Sequence, residues 1–105
     1  MRLALLSSAL PPYPDAIGDY TAALAVKLAR NNDVTLLHGK HIPPPSPLDA
    51  ISQVEAFDIS RPATMHGIVE HVKQIKPDWL ILQYNPFCFG KRGLNLQLPA
   101  AVRAM

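Results

Sequence analysis

Short apolar runs alternate along the chain with longer stretches in which apolar residues recur every three or four positions. Three runs cover residues 3–7, 34–37 and 79–83. Apolar runs of this length are typical of strands buried on both faces of a parallel sheet. A fourth run, residues 54–59, is interrupted by two acidic residues, which favours an edge position. The pattern therefore predicts four strands of one sheet.

Three stretches between and after these strands have the spacing of amphipathic helices: residues 18–30, 63–75 and 94–103. Ser60 is a candidate cap for the second helix, with Pro62 near its first turn. The predicted buried side of the first helix consists of Ile17, Thr21, Leu24, Ala25 and Leu28, and that of the second of Met65, Ile68, Val69, Val72 and Ile75. This alternation predicts an α/β fold with a Rossmann-like parallel sheet and helices on both faces.

Four prolines in the stretch 43–47 separate the second and third predicted strands. Each proline lacks an N–H donor and has a fixed φ, so regular structure is disfavoured there. We therefore expect an exposed loop.

Composition limits the function classes. The 105 residues suffice for one small domain, residues 1–105, and 49% hydrophobic residues can supply its core. A net charge of +2 without a cationic stripe argues against nucleic-acid binding. Cys88 is the single cysteine, so no internal disulfide can form, and we expect a cytoplasmic protein. No signal peptide is evident, and no run approaches the roughly 18 apolar residues of a membrane span.

The four histidines do not suggest a metal site. His38 and His41 flank Gly39 in a predicted loop, and His66 and His71 are five residues apart on a predicted helix. Five-residue spacing turns two side chains to different helix faces, unlike the i, i+4 pairs that bind metals. We expect neither a metal nor a cofactor.

A proline-rich loop, residues 9–15, links the first strand to a helix that begins near Gly18. Helix N-termini leave backbone N–H groups unpaired, and a phosphate or carboxylate can bind there. Gly18 would allow a ligand to approach the backbone closely. The alternative is that Gly18 and Asp19 merely start the helix, since aspartate is favoured in a first turn.

A second motif, WLILQYNPFCFGKRG at residues 79–93, combines an apolar strand with a polar and aromatic loop. Together with AIGDYTAALAVKLA and DVTLLHG, it resembles the N-terminal domain of family 4 glycosyltransferases, which have the two-domain GT-B architecture. The resemblance extends over most of residues 1–105 and is weakest between residues 40 and 60. Ala16 departs from the family pattern, which usually has a glycine there.

The resemblance implies a retaining glycosyltransferase that transfers a sugar from a nucleotide-sugar donor to a sugar, lipid or polysaccharide acceptor. It places the donor diphosphate and the acceptor near Ile17, Gly18, Asp19 and Tyr20. Tyr20 could stack on a sugar or pack inward. The acceptor side would be formed by Gln83, Tyr84, Asn85, Lys91 and Arg92, because amide, hydroxyl and guanidinium groups suit sugar hydroxyls and anions. A simple turn at residues 85–86 and a solvated one at residues 91–92 are the alternatives.

The donor-binding domain of this family has no counterpart in the 105 residues. We therefore expect a truncated N-terminal half that is inactive alone, located in the cytoplasm or at the inner face of the membrane. The competing hypothesis is a stand-alone Rossmann-like or flavodoxin-like module that binds a nucleotide or a protein. A third is self-association through an open sheet edge.

Overall fold

The computed structural model describes residues 1–83, and the predicted helix 94–103 lies outside them. Its strands are β1 (Arg2–Ser7), β2 (Asp33–Gly39), β3 (Ile51–Phe57) and β4 (Trp79–Leu82). Helix α1 (Ala16–Leu28) follows β1, and helix α2 (His66–Ile75) follows β3. A short 3₁₀ turn, Pro62–Met65, leads into α2.

The four strands form one parallel sheet in the order β3-β2-β1-β4. The register places Leu3 opposite Val34 on one side and opposite Trp79 on the other. Within residues 1–83, β3 lies at the edge of the sheet, as its acidic residues predicted. The predicted α/β, Rossmann-like class is confirmed.

The two helices cover opposite faces of the sheet, as predicted. On the α1 face, the buried cluster consists of Leu3, Leu5, Leu10, Ala25, Val34, Leu36 and Ile51. On the α2 face, it consists of Leu6, Leu37, Ala56, Phe57, Met65 and Ile68. Adjacent strand residues such as Leu36 and Leu37 belong to different clusters because successive side chains of a strand point to opposite faces.

The start of α2 differs from the prediction. Residues 62–65 form the 3₁₀ turn, and no side chain caps either this turn or α2. Ser60 is not a cap, because its hydroxyl donates to Asp58 Oδ1 at 2.7 Å. The predicted end is confirmed: Lys76 adopts a left-handed conformation with φ of 51°, and α2 stops there.

Strand boundaries were predicted less well than strand number. β2 extends to Gly39, two residues beyond the predicted end, so His38 is a buried strand residue and not a loop residue. β3 begins at Ile51, three residues before the predicted start. Parallel pairing of β2 with β3 accounts for both differences, because it stabilises residues without a strong strand preference of their own: His38, Gly39, Ser52 and Gln53. The stretch with four prolines, residues 43–47, is largely exposed, as predicted.

Candidate functional site

The carboxyl ends of β1 and β4 form the point at which ligands bind in open α/β sheets. From β1 the chain crosses to β2 on one side, whereas β4 lies on the other side of β1. Gln83 follows β4 at this point, and its backbone N–H donates to the Leu6 carbonyl oxygen at 2.9 Å. The half-buried Gln83 therefore lies at the switch in strand order.

The loop between β1 and α1 closes over the end of β1. Ser7 is fully buried, and its hydroxyl donates to the Ala9 carbonyl oxygen at 3.0 Å. The Tyr13 N–H donates to the Leu10 carbonyl oxygen at 3.1 Å. These bonds, with Ala9 and Leu10 both buried, give the loop a defined shape without help from a ligand.

The N-terminus of α1 already holds an anion, the carboxylate of Asp15. Its two oxygens accept the N–H groups of Ile17 at 3.3 Å and Gly18 at 3.2 Å. Aspartate is a preferred residue at this capping position because it satisfies N–H groups that have no partner within the helix. A diphosphate at the Gly18 N–H would have to displace this carboxylate.

Gly18 is buried and packs directly against the loop that precedes α1. A methyl group in place of its hydrogen would overlap the Ala9 carbonyl oxygen. Close helix–strand packing therefore accounts for a glycine at this position. A contact of Gly18 with donor diphosphate stays a prediction.

Asp19 and Tyr20 lie exposed at the start of α1. Tyr20 is 62% exposed, so its side chain does not pack inward, and the second of the two sequence-based alternatives is excluded. Asp19 occupies the first turn, where a negative charge is favourable for the helix dipole. Both side chains are therefore accessible to solvent near the N-terminus of α1.

A cluster of three rings, which we call the ring cluster, lies at the carboxyl end of β2. It consists of His38 in β2, Tyr13 in the β1–α1 loop and His41 in the loop after β2. The ring of His41 is 5.2 Å from that of Tyr13 and 5.4 Å from that of His38, between centroids. The Leu10 N–H donates to His41 Nε2 at 3.2 Å, and His41 Nδ1 lies 2.7 Å from the Pro43 carbonyl oxygen. No local pattern in the sequence indicates this cluster, because Tyr13 is 25 residues or more from either histidine in the chain.

The charge state of His38 depends on its burial. Only 5% of the residue is exposed, and this desolvation lowers the pKa of His38 below its ordinary 6.5. Its Nδ1 lies 2.7 Å from the Gly39 carbonyl oxygen, a contact that acts in the opposite direction. The nearby His41 lowers the pKa further, and Glu55 raises it. His38 is consequently a neutral histidine at pH 7.

A shallow depression of about 240 Å³ lies beside the other strand–helix junction, where β3 leads into α2. Asp58 lies at its rim and accepts bonds from the hydroxyl and the N–H of Ser60, and these bonds lower the pKa of the Asp58 carboxyl. Lys40 and Arg61 act in the same direction. Two cations, Lys40 and Arg61, and two carboxylates, Glu55 and Asp58, line the depression, so it favours neither anions nor cations.

A wider concavity of about 810 Å³ lies at the amino edge of the sheet, opposite the candidate site. Arg2 and Asp78 both line it and are bonded to each other. The Arg2 N–H donates to Asp78 Oδ2 at 2.8 Å, and the Asp78 N–H donates to the Arg2 carbonyl oxygen at 2.7 Å. These bonds join the beginnings of β1 and β4. We assign this concavity a structural origin, since ligands of open α/β sheets bind at the carboxyl edge.

The other predicted acceptor-side residues, Tyr84, Asn85, Lys91 and Arg92, lie outside the described residues. Within residues 1–83, no three His, Cys, Asp or Glu side chains come together as metal ligands. In the same part of the chain, no helix is both long and apolar enough to cross a membrane.

Neither protein-family models nor curated proteins match this chain.

Proposed function

We propose that this chain is the acceptor-side Rossmann-like domain of a retaining glycosyltransferase with GT-B architecture. A second Rossmann-like domain, joined in the same chain or supplied by another, would bind most of the nucleotide-sugar. The observation that carries the proposal is the position of Gln83. It follows β4 beside the end of β1, at the switch in strand order, and it belongs to the motif that resembles family 4 glycosyltransferases.

Gln83 would bind the acceptor. Its amide supplies one carbonyl acceptor and two N–H donors, which match the mixed donor and acceptor character of sugar hydroxyls. Tyr20, which is 62% exposed, would offer an aromatic face to a sugar ring from the start of α1. Tyr84, Asn85, Lys91 and Arg92 would complete the acceptor side.

The α1 N-terminus would contribute less to the donor than the sequence predicts. Because Asp15 already accepts the Ile17 and Gly18 N–H groups, a diphosphate there would encounter a carboxylate of like charge. We therefore propose that the second domain binds the diphosphate, and that Ile17, Gly18, Asp19 and Tyr20 form part of the cleft wall. Transfer would depend on positioning and on stabilisation of the departing diphosphate.

A stand-alone binding module is the second candidate, and the exposed side chains of the same region favour it. Tyr13, Tyr20 and Ile42 are 37%, 62% and 84% exposed. Aromatic side chains are enriched in protein interfaces, so these residues would suit a protein partner. This module would need no second domain.

The test is NMR titration of the ¹⁵N-labelled chain with glucose, mannose, maltose, UDP-glucose and GDP-mannose, together with assays of sugar transfer. We expect weak binding of at least one sugar with shifts at Gln83, and no transfer by the chain alone. Gln83→Ala should weaken that binding about fivefold, the effect of one lost hydrogen bond of about 1 kcal/mol. Gln74→Ala, an exposed site on α2, is the matched control and should bind like the wild type.

Two results would contradict the proposal. Full sugar transfer by the isolated chain would show that no second domain is needed. Submicromolar nucleotide binding without any sugar-dependent shift at Gln83 would favour the stand-alone module.

A further inference from the structure

His41 joins the two loops that border the carboxyl ends of β1 and β2. Its Nε2 accepts the N–H of Leu10 in the β1–α1 loop, and its Nδ1 lies against the Pro43 carbonyl oxygen in the proline loop. A carbonyl oxygen only accepts, so Nδ1 must carry the proton and Nε2 must be unprotonated. Only neutral His41 in the Nδ1–H tautomer makes both bonds.

Two further contacts hold the same loops together. The Ser46 N–H donates to the Pro11 carbonyl oxygen at 3.0 Å, and the Tyr13 ring packs beside His41. The Gln53 side chain of β3 donates to the Ser46 carbonyl oxygen at 2.7 Å. Of the side-chain types in these contacts, histidine is the one that ordinarily gains a proton between pH 5 and 8.

We propose that His41 is a pH-sensitive latch, whose protonation releases the proline loop, residues 40–50, from the β1–α1 loop at the carboxyl edge of the sheet. A proton on Nε2 replaces an acceptor with a donor, which then faces the Leu10 N–H. Leu10 is fully buried, so its N–H finds no water in place. One of the two loops must move.

The charged residues of the two loops are Asp15, Lys40 and Asp49. His41 is half-buried, whereas His38 is buried and has a lowered pKa. Glu55 on β3 acts on His38 and favours positive charge at this end of β2. From β1, Ser7 lies opposite His38 in the register and is not ionisable. The buried residues of α1 carry no charge: Gly18, Thr21, Ala22 and Ala25.

The experiment is amide hydrogen exchange measured by NMR at pH 7.5 and 5.0, with rates normalised to the intrinsic exchange rates. In the wild-type chain, protection of the Leu10 and Ser46 amides should fall at least tenfold at pH 5.0, while the Leu36 amide in β2 keeps its protection. His41→Gln retains an acceptor near the Nε2 position but does not titrate, so it should keep protection at pH 5.0. His66→Gln, an exposed site on α2, is the control and should lose protection like the wild type.

Equal protection of Leu10 at both pH values in the wild type would overturn the proposal, as would an equal loss in His41→Gln. If His41→Gln does not fold, ¹⁵N NMR of the wild-type imidazoles decides. The Nδ1–H tautomer of His41 at pH 7.5 supports the latch, and the Nε2–H tautomer overturns it. The measurements involve no sugar or nucleotide, so they are independent of the proposed function.

Discussion

The two strand–helix junctions of this domain, β1–α1 and β3–α2, use the same packing but different caps. Each helix carries a glycine near its start, Gly18 in α1 and Gly67 in α2. A methyl group at Gly18 would overlap the Ala9 carbonyl oxygen, and one at Gly67 would come within 2.5 Å of the Ala56 carbonyl oxygen. Close approach of helix to strand end therefore requires glycine at both junctions.

The caps differ. Asp15 accepts two backbone N–H groups of α1, whereas α2 begins through a 3₁₀ turn with no side-chain cap. Ligand binding was predicted for Gly18 and not for Gly67, because Gly18 lies in the helix that follows the first strand. The comparison with Gly67, which has the same packing role beside a different strand, shows that a glycine at such a junction is weak evidence for a ligand.

The largest expected effect concerns this shared packing. Gly18→Ala and Gly67→Ala should each lower the free energy of unfolding by up to about 2 kcal/mol, because overpacking against backbone costs about 1–3 kcal/mol and alanine's helix propensity returns about 1 kcal/mol. The two sites are on opposite faces, so the double variant should lose the sum of the two. Urea unfolding measures each value.

Ala23→Gly, at an exposed position of α1, measures the difference in helix propensity between alanine and glycine without overpacking. We expect this variant to lose about 1 kcal/mol of stability. A stabilised Gly18→Ala variant would mean that propensity outweighs the contact and that the β1–α1 loop moves freely. A loss of stability in only one of the two alanine variants would show that the two junctions do not share this packing.

Two groups beside these junctions should also respond to acid in different ranges: His38 in β2, which lies opposite Ser7 at the end of β1, and Asp58, which follows β3. The pKa of His38 is lowered in the folded protein, so protonation favours unfolding, and stability falls as pH drops below 6.5 toward the folded value. The slope is at most about 1.4 kcal/mol per pH unit for one proton. The pKa of the Asp58 carboxyl is also lowered in the folded protein, so its ionised form stabilises the fold. This stabilisation is lost only as the pH falls below 3.8, the ordinary pKa of the group.

Urea unfolding at pH 8, 6 and 5 measures this difference. His38→Gln should have a shallower decline between pH 6.5 and 5 than the wild type, whereas Asp58→Asn should keep the wild-type decline in that range. His66→Gln is the exposed-histidine control. An unchanged decline in His38→Gln would show that the buried histidine is not the source of acid sensitivity.

The smallest expected effect concerns the caps. Asp15→Ala should cost about 1 kcal/mol, the usual value for loss of a capping side chain. Arg61→Ala, at the corresponding position before the 3₁₀ turn, should cost less than about 0.5 kcal/mol, because Arg61 makes no capping bond. Thermal unfolding followed by circular dichroism can separate the two, and equal losses would contradict the assigned difference.

Element type was predictable because the strands are short apolar runs and the helices have apolar residues at every third or fourth position. Met65 of the 3₁₀ turn and Ile68, Val72 and Ile75 of α2 lie on the predicted side. Boundaries were not predictable in the same way. His38 and Ile51 joined strands through pairing with their neighbours, and residues 62–65 became a 3₁₀ turn. The strand extensions depend on pairing partners that are distant in sequence.

The candidate site was predictable only in part. The position of Gln83 after β4 follows from the apolar run that precedes it, and the structure locates it beside β1. The ring cluster was not predictable, because Tyr13 and His41 belong to different loops that parallel pairing of β1 with β2 brings together.

The sequence by itself determined the α/β class, the number of strands in the first 83 residues and the buried side of each helix. These properties follow from the local spacing of apolar residues, because that spacing indicates which side chains are buried away from water. Only the tertiary structure decided that Gly18 packs against the Ala9 carbonyl oxygen. The tertiary structure also decided the bonds of His41 to both loops, because hydrogen bonds between loops depend on distances set by the sheet.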